Sequence, residues 1–251
     1  MATPRPLATV ERAIRILDVL ATTQSDLGNN EIARRADVNV STASRMLTTL
    51  VESELVRRVP ETGRYRLGPR LVELGNAALA GIDLRETTRR HLVALTETTG
   101  ETATLSVPGE HALITIDFEQ SPSSVRSVAE MGRHAVLHAT SIGKVYLAYG
   151  GELPPGRLAA CTDKTITDRK TLAAELERVR ERGWAESVGE REDEMNAVGV
   201  PVLDADGTLT GVLGLQGPAT RFGARARRSA VDLLCRHAER IAAGNPAPPP
   251  D

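Results

Sequence analysis

The chain is predicted to be α+β: a small helical head ending in a β-hairpin, then a body in which helices cover an antiparallel sheet. Three observations predict this. Residues 9–67 show helical periodicity three times, then two short strand-like runs around Pro60-Glu61-Thr62-Gly63. Beyond Gly100 the texture changes to apolar–polar alternation, punctuated by the turn pairs Pro108-Gly109 and Asp206-Gly207. The body's strands come in hairpins with its helices segregated, which favours helices on an antiparallel sheet.

The first helix is expected over 9–22, with Val10, Ala13, Ile14, Leu17, Leu20 and Ala21 on its buried stripe. A loop from Ser25 to Asn29 follows. A short second helix runs from Asn30 to Ala36, capped by Asn29 or Asn30, with Ile32, Ala33 and Ala36 inward. Ser41 is the expected N-cap of a third helix reaching Ser53. Its apolar stripe is Ala43, Met46, Leu47, Leu50 and Val51, and its outer face is Thr42, Ser44, Arg45, Thr48 and Thr49. Leu55–Val59 and Arg64–Leu67 then form a hairpin carrying Arg57, Arg58, Arg64 and Arg66.

This order is that of a winged helix-turn-helix. A helix that reads the major groove needs one apolar face as anchor and one face of small polar residues plus Arg to enter the groove. The wing arginines suit a phosphate backbone. The bland alternative is a three-helix bundle with a solvated polar face.

A linker helix is expected over 69–80, with Leu71, Leu74 and Ala78 on one side and Gly81 as breaker. Asp83-Leu84-Arg85-Glu86 reads as a capping box opening a helix to Thr99, with Leu84, Leu92 and Leu95 inward. Strands are expected at 102–107, 111–118, 125–130, 135–138, 184–188, 195–203 and 208–217. Helices are expected from Thr140 or Ser141 to Tyr149, from a Thr167 cap to Arg182, and from Phe222 to Ala243. The resulting division is 1–68 for the head, 69–82 for the linker, 83–245 for the body and 246–251, proline-rich, for a disordered tail.

Composition narrows the function. The 251 residues carry a net charge of −2, yet residues 1–75 hold 11 Arg against 9 acids, so a weakly basic head sits on an acidic body. Aromatics are 2% of the chain, which argues against base-stacking platforms for single-stranded nucleic acid. Cys161 and Cys235 form no Cys-x-x-Cys pair, and no metal-ligand spacing or phosphate-binding glycine pattern occurs, so neither metal nor cofactor is expected. His91, His111, His134 and His237 show no cluster in sequence. No apolar run approaches membrane-helix length and the N-terminus has no signal-peptide core, so a cytoplasmic protein with no membrane partner is expected.

Several separated motifs occur in a fixed order: Ile32-Ala33, Ser41-Thr42-Ala43-Ser44-Arg45-Met46-Leu47, Thr62-Gly63-Arg64-Tyr65-Arg66-Leu67-Gly68, His138-Ala139-Thr140-Ser141-Ile142-Gly143-Lys144, Gly183-Trp184, Val200-Pro201-Val202 and Gly214-Leu215-Gln216-Gly217-Pro218. On these the chain, over residues 8–243, resembles the IclR-type bacterial transcriptional regulators. The resemblance implies a winged helix-turn-helix, a linker helix and a GAF-like effector-binding domain. It also implies a homodimer or homotetramer on operator DNA, expected to act as a repressor of metabolic genes under a small-molecule effector, a small organic acid. The DNA-binding residues it implies are Asn39, Ser41, Thr42, Ser44, Arg45, Thr48 and Arg64. Where relatives carry Gly-Leu-Pro-Lys in the turn, this chain has Asp37-Val38-Asn39-Val40; Asp tolerates the left-handed conformation expected of that Gly. The effector-binding residues implied are Ser141, Ile142, Ser187, Glu190, Met195, Ala197, Gly214 and Gln216. Glu190 is awkward beside an anion and alternatively partners an arginine.

Two rival readings stand beside this one. Ser141-x-x-Lys144 has the spacing of serine acyl-transferases that use lysine as base, although the Ser-Asp-Asn and Lys-Thr-Gly partners are missing. A metabolite sensor acting through protein contacts, with a vestigial DNA head, is the other.

Overall fold

The computed structural model describes residues 7–23, 25–80, 83–109, 112–132, 135–245 and 247. The chain divides into two compact units, Met1–Gly81 and Ile82–Asp251.

The first unit contains α1 (Ala8–Ala21), α2 (Asn29–Arg35), α3 (Val40–Glu52), β1 (Val56–Arg58), β2 (Tyr65–Leu67) and α4 (Arg70–Ala80). Its core is aliphatic: Ile16, Leu20, Leu27, Ile32, Ala36, Leu47, Leu50 and Val56. The expected stripe of α1 is corrected by this packing. Six apolar positions cover too wide an arc for one contact. Ile16 and Leu20 are buried, whereas Val10 and Ile14 are 53% and 51% exposed.

The helix starts are corrected as well. Gly28 precedes α2 without a side-chain cap, and Asn29 is its first residue. Asn39, not Ser41, caps α3, its side chain accepting the Thr42 N–H. Asp37 has φ 53°, the left-handed turn its side chain tolerates. β1 and β2 pair antiparallel, Val56 opposite Leu67. The loop expected at 25–29 contributes a further bridge: Leu27 exchanges both backbone hydrogen bonds with Tyr65, at 3.0 and 2.8 Å. On α4, Leu74 is half exposed rather than inward, and the Ala78 side chain lies outside the described residues.

The second unit contains α5 (Asp83–Thr99), β3 (Thr102–Pro108), β4 (Leu113–Glu119), α6 (Ser141–Ala148), α7 (Arg169–Arg182), β5 (Ala185–Val188), β6 (Met195–Leu203), β7 (Leu209–Pro218) and α8 (Ala224–Ala242). The five strands form one sheet in the order β4-β3-β7-β6-β5, antiparallel at every pairing. Strand periodicity puts Val212, Gly214 and Gln216 on one face and Gly211, Leu213 and Leu215 on the other. The first face packs under α6 and α7, where Val212 joins Val145, Leu172 and Val179 in the core. Gly211 on the second face lies against Leu84 of α5, and α8 packs beside α5.

Neither 125–130 nor 135–138 is a strand, contrary to the sequence expectation. β4 ends the sheet, and this segment crosses its edge through isolated bonds, Gly132 N–H to Thr115 O and Ala135 N–H to Leu113 O, without building a ladder. Its valines Val125 and Val128 are largely exposed, Val128 at the mouth of a cavity. The cap of α7 is Asp168, one residue beyond the expected Thr167, accepting from Thr171 N at 2.7 Å. Gly81, the capping-box side chains Asp83 and Glu86, His111, His134 and nearly all of the tail lie outside the described residues.

Candidate DNA-reading face and effector pocket

The start of α3 is organised by Asn39. Its Oδ1 accepts the Thr42 N–H at 2.7 Å and the Ser41 hydroxyl at 2.9 Å, so one expected DNA residue holds two others. Ser41, Arg45 and Thr48 lie one turn apart on one exposed face, with Ser44 beside them. Thr48 Oγ1 donates back to Ser44 O, and Thr42 is half-buried. The Arg45 guanidinium is exposed and, among the described residues, makes no hydrogen bond or ion pair, while its carbonyl accepts from Thr49 Oγ1. Arg64 is exposed but engaged, its NH1 donating to the backbone carbonyl of Asp26 at 3.0 Å.

In the second unit a cavity of about 120 Å³ opens between the start of α6, the sheet face and the 127–136 segment. Two glycines let α6 approach the sheet beside it, and Gly214 lines it. Gly199 and Gly214 are cross-strand neighbours on β6 and β7. A Cβ on Gly199 would lie 3.2 Å from Ile142 N, and one on Gly214 would lie 2.8 Å from Ile142 Cγ2 and from Thr104 Oγ1. Without side chains at both positions, the first turn of α6 settles directly onto the sheet. Thr140 caps that turn through Gly143 N, leaving the Ser141 and Ile142 N–H groups at the positive end of the helix without intrahelical partners.

Seven of the eight expected effector residues line this cavity: Ser141, Ile142, Ser187, Met195, Ala197, Gly214 and Gln216. Ser187 is a strut as much as a lining group, its hydroxyl donating to Ala139 O at 2.9 Å. Glu190 is the correction. It does not line the cavity, and its Oε1 lies 2.6 Å from Lys144 Nζ, both side chains being almost fully buried. Its partner is thus a lysine, not the arginine weighed from sequence. Lys144 Nζ also donates to Glu186 O at 3.0 Å. Burial pushes the Glu190 carboxyl above its ordinary value, and the Lys144 ammonium pulls the other way. With its ammonium held by these two groups, Lys144 is not placed as a base for Ser141, which removes the Ser-x-x-Lys reading.

Sequence reasoning missed Arg191, which lines the cavity and approaches Cys161 Sγ at 3.7 Å. It missed Thr104 too, a buried hydroxyl on the floor. Arg191 follows Glu190 in a charged turn where only the first residue drew notice. Thr104 sits in a β run whose hydroxyl looked like strand propensity. Another miss is a histidine pair: His91 on α5 and His237 on α8, 146 positions apart, place their Nδ1 atoms 3.0 Å apart.

Comparison with known proteins agrees with this geometry. The IclR helix-turn-helix domain matches residues 9–60, and the bacterial transcriptional regulator IclR C-terminal domain matches residues 76–243. The HTH-type transcriptional regulator BhcR of Paracoccus denitrificans is 32% identical over 88% of this chain and 81% of its own. A putative IclR transcriptional regulator from Silicibacter sp. superposes with a TM-score of 0.83 at 27% identity, covering 96% of this chain and 98% of that one. An IclR homolog from Microbacterium hydrocarbonoxydans, solved with 4-hydroxybenzoate, shares the fold with a TM-score of 0.77 at 23% identity, covering 94% and 98% of the two chains. No helix among the described residues is long and apolar enough to cross a membrane. With both family domains matched in order, an exposed polar helix in one unit and a pocket at the start of α6 in the other, the chain belongs to the IclR family of DNA-binding transcriptional regulators and is not an enzyme.

Proposed function

We propose that the protein reads its operator with Ser44, Arg45 and Thr48 of α3, releases it in response to a small organic acid, and acts as a repressor. Residues 1–68 serve as the DNA-binding domain, 69–82 as the linker and 83–245 as the effector domain. Ser41, Thr42 and Asn39 set the helix start against phosphate, and Arg45, the uncommitted cation of the face, reaches a guanine edge. The observation that carries the effector reading is the cavity between the first turn of α6 and Gly214 on the sheet. Its volume, about 120 Å³, is below the ~150 Å³ of a cavity that takes up benzene, so the enclosed part of the ligand has on the order of five to six heavy atoms. A carboxylate suits the open N–H groups of α6 and the Arg191 guanidinium on the lining; 4-hydroxybenzoate in the Microbacterium protein fits the same class.

A homodimer completes the reading. Leu7 at the N-cap of α1, Val10 and Ile14 on α1, and Val72 and Leu74 on α4 are 50–73% exposed, apolar surface that a second copy would cover. Two α3 helices then enter successive major grooves about one turn of DNA apart.

One experiment tests both sites: operator binding by fluorescence anisotropy, with and without small carboxylates first selected by thermal shift on the full chain. Arg45→Ala is expected to weaken operator binding roughly ten- to a hundredfold with an unchanged melting temperature. Gly214→Ala, whose methyl enters the pocket floor, is expected to bind operator normally and lose both the thermal shift and the release. Operator binding unaltered by Arg45→Ala overturns the reading face, and a carboxylate response unaltered by Gly214→Ala overturns the pocket.

A further inference from the structure

The wing has four arginines, and three are engaged at home. Arg58 Nε donates to Gly63 O at 3.4 Å, Arg64 NH1 donates to Asp26 O at 3.0 Å, and Arg66 NH2 lies 2.6 Å from Asp26 Oδ2. Arg57 is exposed and makes no such bond among the described residues. Asp26 therefore meets two wing arginines at once, one through its carbonyl and one through its carboxylate. It is held in place by its neighbour: Leu27 is buried and pairs with Tyr65, between the two arginines. The carboxylate, with Glu61 contributing from the turn, keeps the Arg66 guanidinium above its ordinary value.

We propose that Asp26 is an intramolecular stand-in for a DNA phosphate, a latch that neutralises Arg66 and so lowers the wing's sequence-independent grip on DNA. The physics is competition. Non-specific affinity comes from cations that displace counterions at phosphates, with the salt dependence counting the phosphates neutralised. An arginine already paired with a carboxylate adds little to that count until the pair opens. The pair is partly solvated, side chains 55% and 24% exposed, so its opening costs little and DNA can still recruit Arg66 where the fit is good. Lowering the non-specific term while leaving base contacts from α3 intact raises the ratio of operator to random binding. Asp26 is then a specificity-determining residue that need not touch DNA. This inference rests on reading the wing as DNA-facing.

The test measures binding of a short random-sequence duplex and of the operator over a series of salt concentrations. Asp26→Asn is expected to bind the random duplex about three- to fivefold tighter, with the log–log salt slope steeper by about 0.9, and to gain less on the operator. Asp26→Ala must do the same, and the gain must vanish in the double variant Asp26→Asn/Arg66→Gln. Arg57→Gln, the free arginine, must weaken random-duplex binding. If Arg57→Gln weakens binding and Asp26→Asn does not tighten it, the latch is wrong and the DNA-facing wing stands. If neither substitution changes affinity or slope, the wing does not face DNA and the latch falls with it. Melting of Asp26→Asn at the wild-type temperature separates these outcomes from misfolding, and Arg66→Gln in the wild-type background releases the same pair from the other side.

Discussion

The two units place their polar groups on opposite sides of their cores. In the first, an aliphatic core is wrapped by hydroxyls and arginines at the surface, and the Arg45 side chain has no partner among the described residues. In the second, hydroxyls, a lysine, a glutamate and two histidines lie inside: Thr104, Ser141, Lys144, Glu190, His91 and His237 are all at least nine-tenths buried. The difference follows from what each unit must recognise. A DNA groove comes to the surface, so the reader must be outside and its core can be simple. The cavity of the second unit lies within it, so lining hydroxyls such as Thr104 and Ser141 are interior; Lys144–Glu190 and His91–His237 lie off that lining and pair with each other, because a buried polar atom must be partnered or cost stability. Substitutions that unpair an interior group should therefore be expensive in the second unit and cheap in the first.

The largest effect is expected at Glu190. Glu190→Ala leaves the Lys144 ammonium buried with only the Glu186 carbonyl, which costs about 3–5 kcal/mol, or roughly 10 °C in melting temperature for a unit of this size. Lys144→Met combined with Glu190→Leu replaces the pair by apolar groups and should recover most of that loss. A melt in which Glu190→Ala is neutral would show that the pair is hydrated and that the two units do not differ as argued.

Next comes the histidine pair. His91 Nε2 faces the Asn245 carbonyl at 3.1 Å and so carries the proton there, which leaves its Nδ1 as acceptor for the His237 Nδ1–H. Burial first, and then His91, Arg236 and Arg240, lower the His237 value to about 4; burial lowers His91 as well. The unfolded chain takes up a proton near pH 6.5 that the folded chain refuses until about pH 4. Stability is thus complete above the unfolded value and falls as pH drops through that window, by about 3 kcal/mol at pH 4. His237→Asn, which keeps an N–H where Nδ1 stands, should flatten the acid limb of a denaturation-against-pH curve. An unchanged acid limb would place the pH dependence elsewhere.

The same contrast explains what the sequence disclosed. The head was legible because its signal is local: periodicity, turn residues and an outward polar face lie within about sixty positions. Its errors were one- or two-residue shifts of caps and the split arc of α1, where Val10 and Ile14 face outward. Four lining residues were legible in the quoted motifs, Ser141, Ile142, Gly214 and Gln216, and three more, Ser187, Met195 and Ala197, only through the resemblance, while Gly199 was not singled out. What stayed hidden was long-range pairing: Lys144 with Glu190 across 46 positions, His91 with His237 across 146. The segment 125–138 misled because alternation reports a two-sided ribbon, and an edge crossing held by scattered hydrogen bonds can carry the same pattern.

The smallest effect sharpens the comparison at the reading helix. Ser41 looked like the cap of α3, and Asn39 occupies that place. Asn39→Ala should cost about 1 kcal/mol of stability by freeing the Thr42 N–H, and Asn39→Ser, itself a good cap, should restore most of it. Ser41→Ala should be nearly silent in a melt, because its hydroxyl only adds a second bond to the same Oδ1. DNA binding separates the remaining role. If Asn39 serves only as a cap, Asn39→Ser binds operator like the wild type. If its amide also reaches the DNA, Asn39→Ser keeps its melting temperature and loses affinity. A surface residue can thus be stripped of function with almost no cost to the fold, which is the freedom the buried groups of the second unit lack.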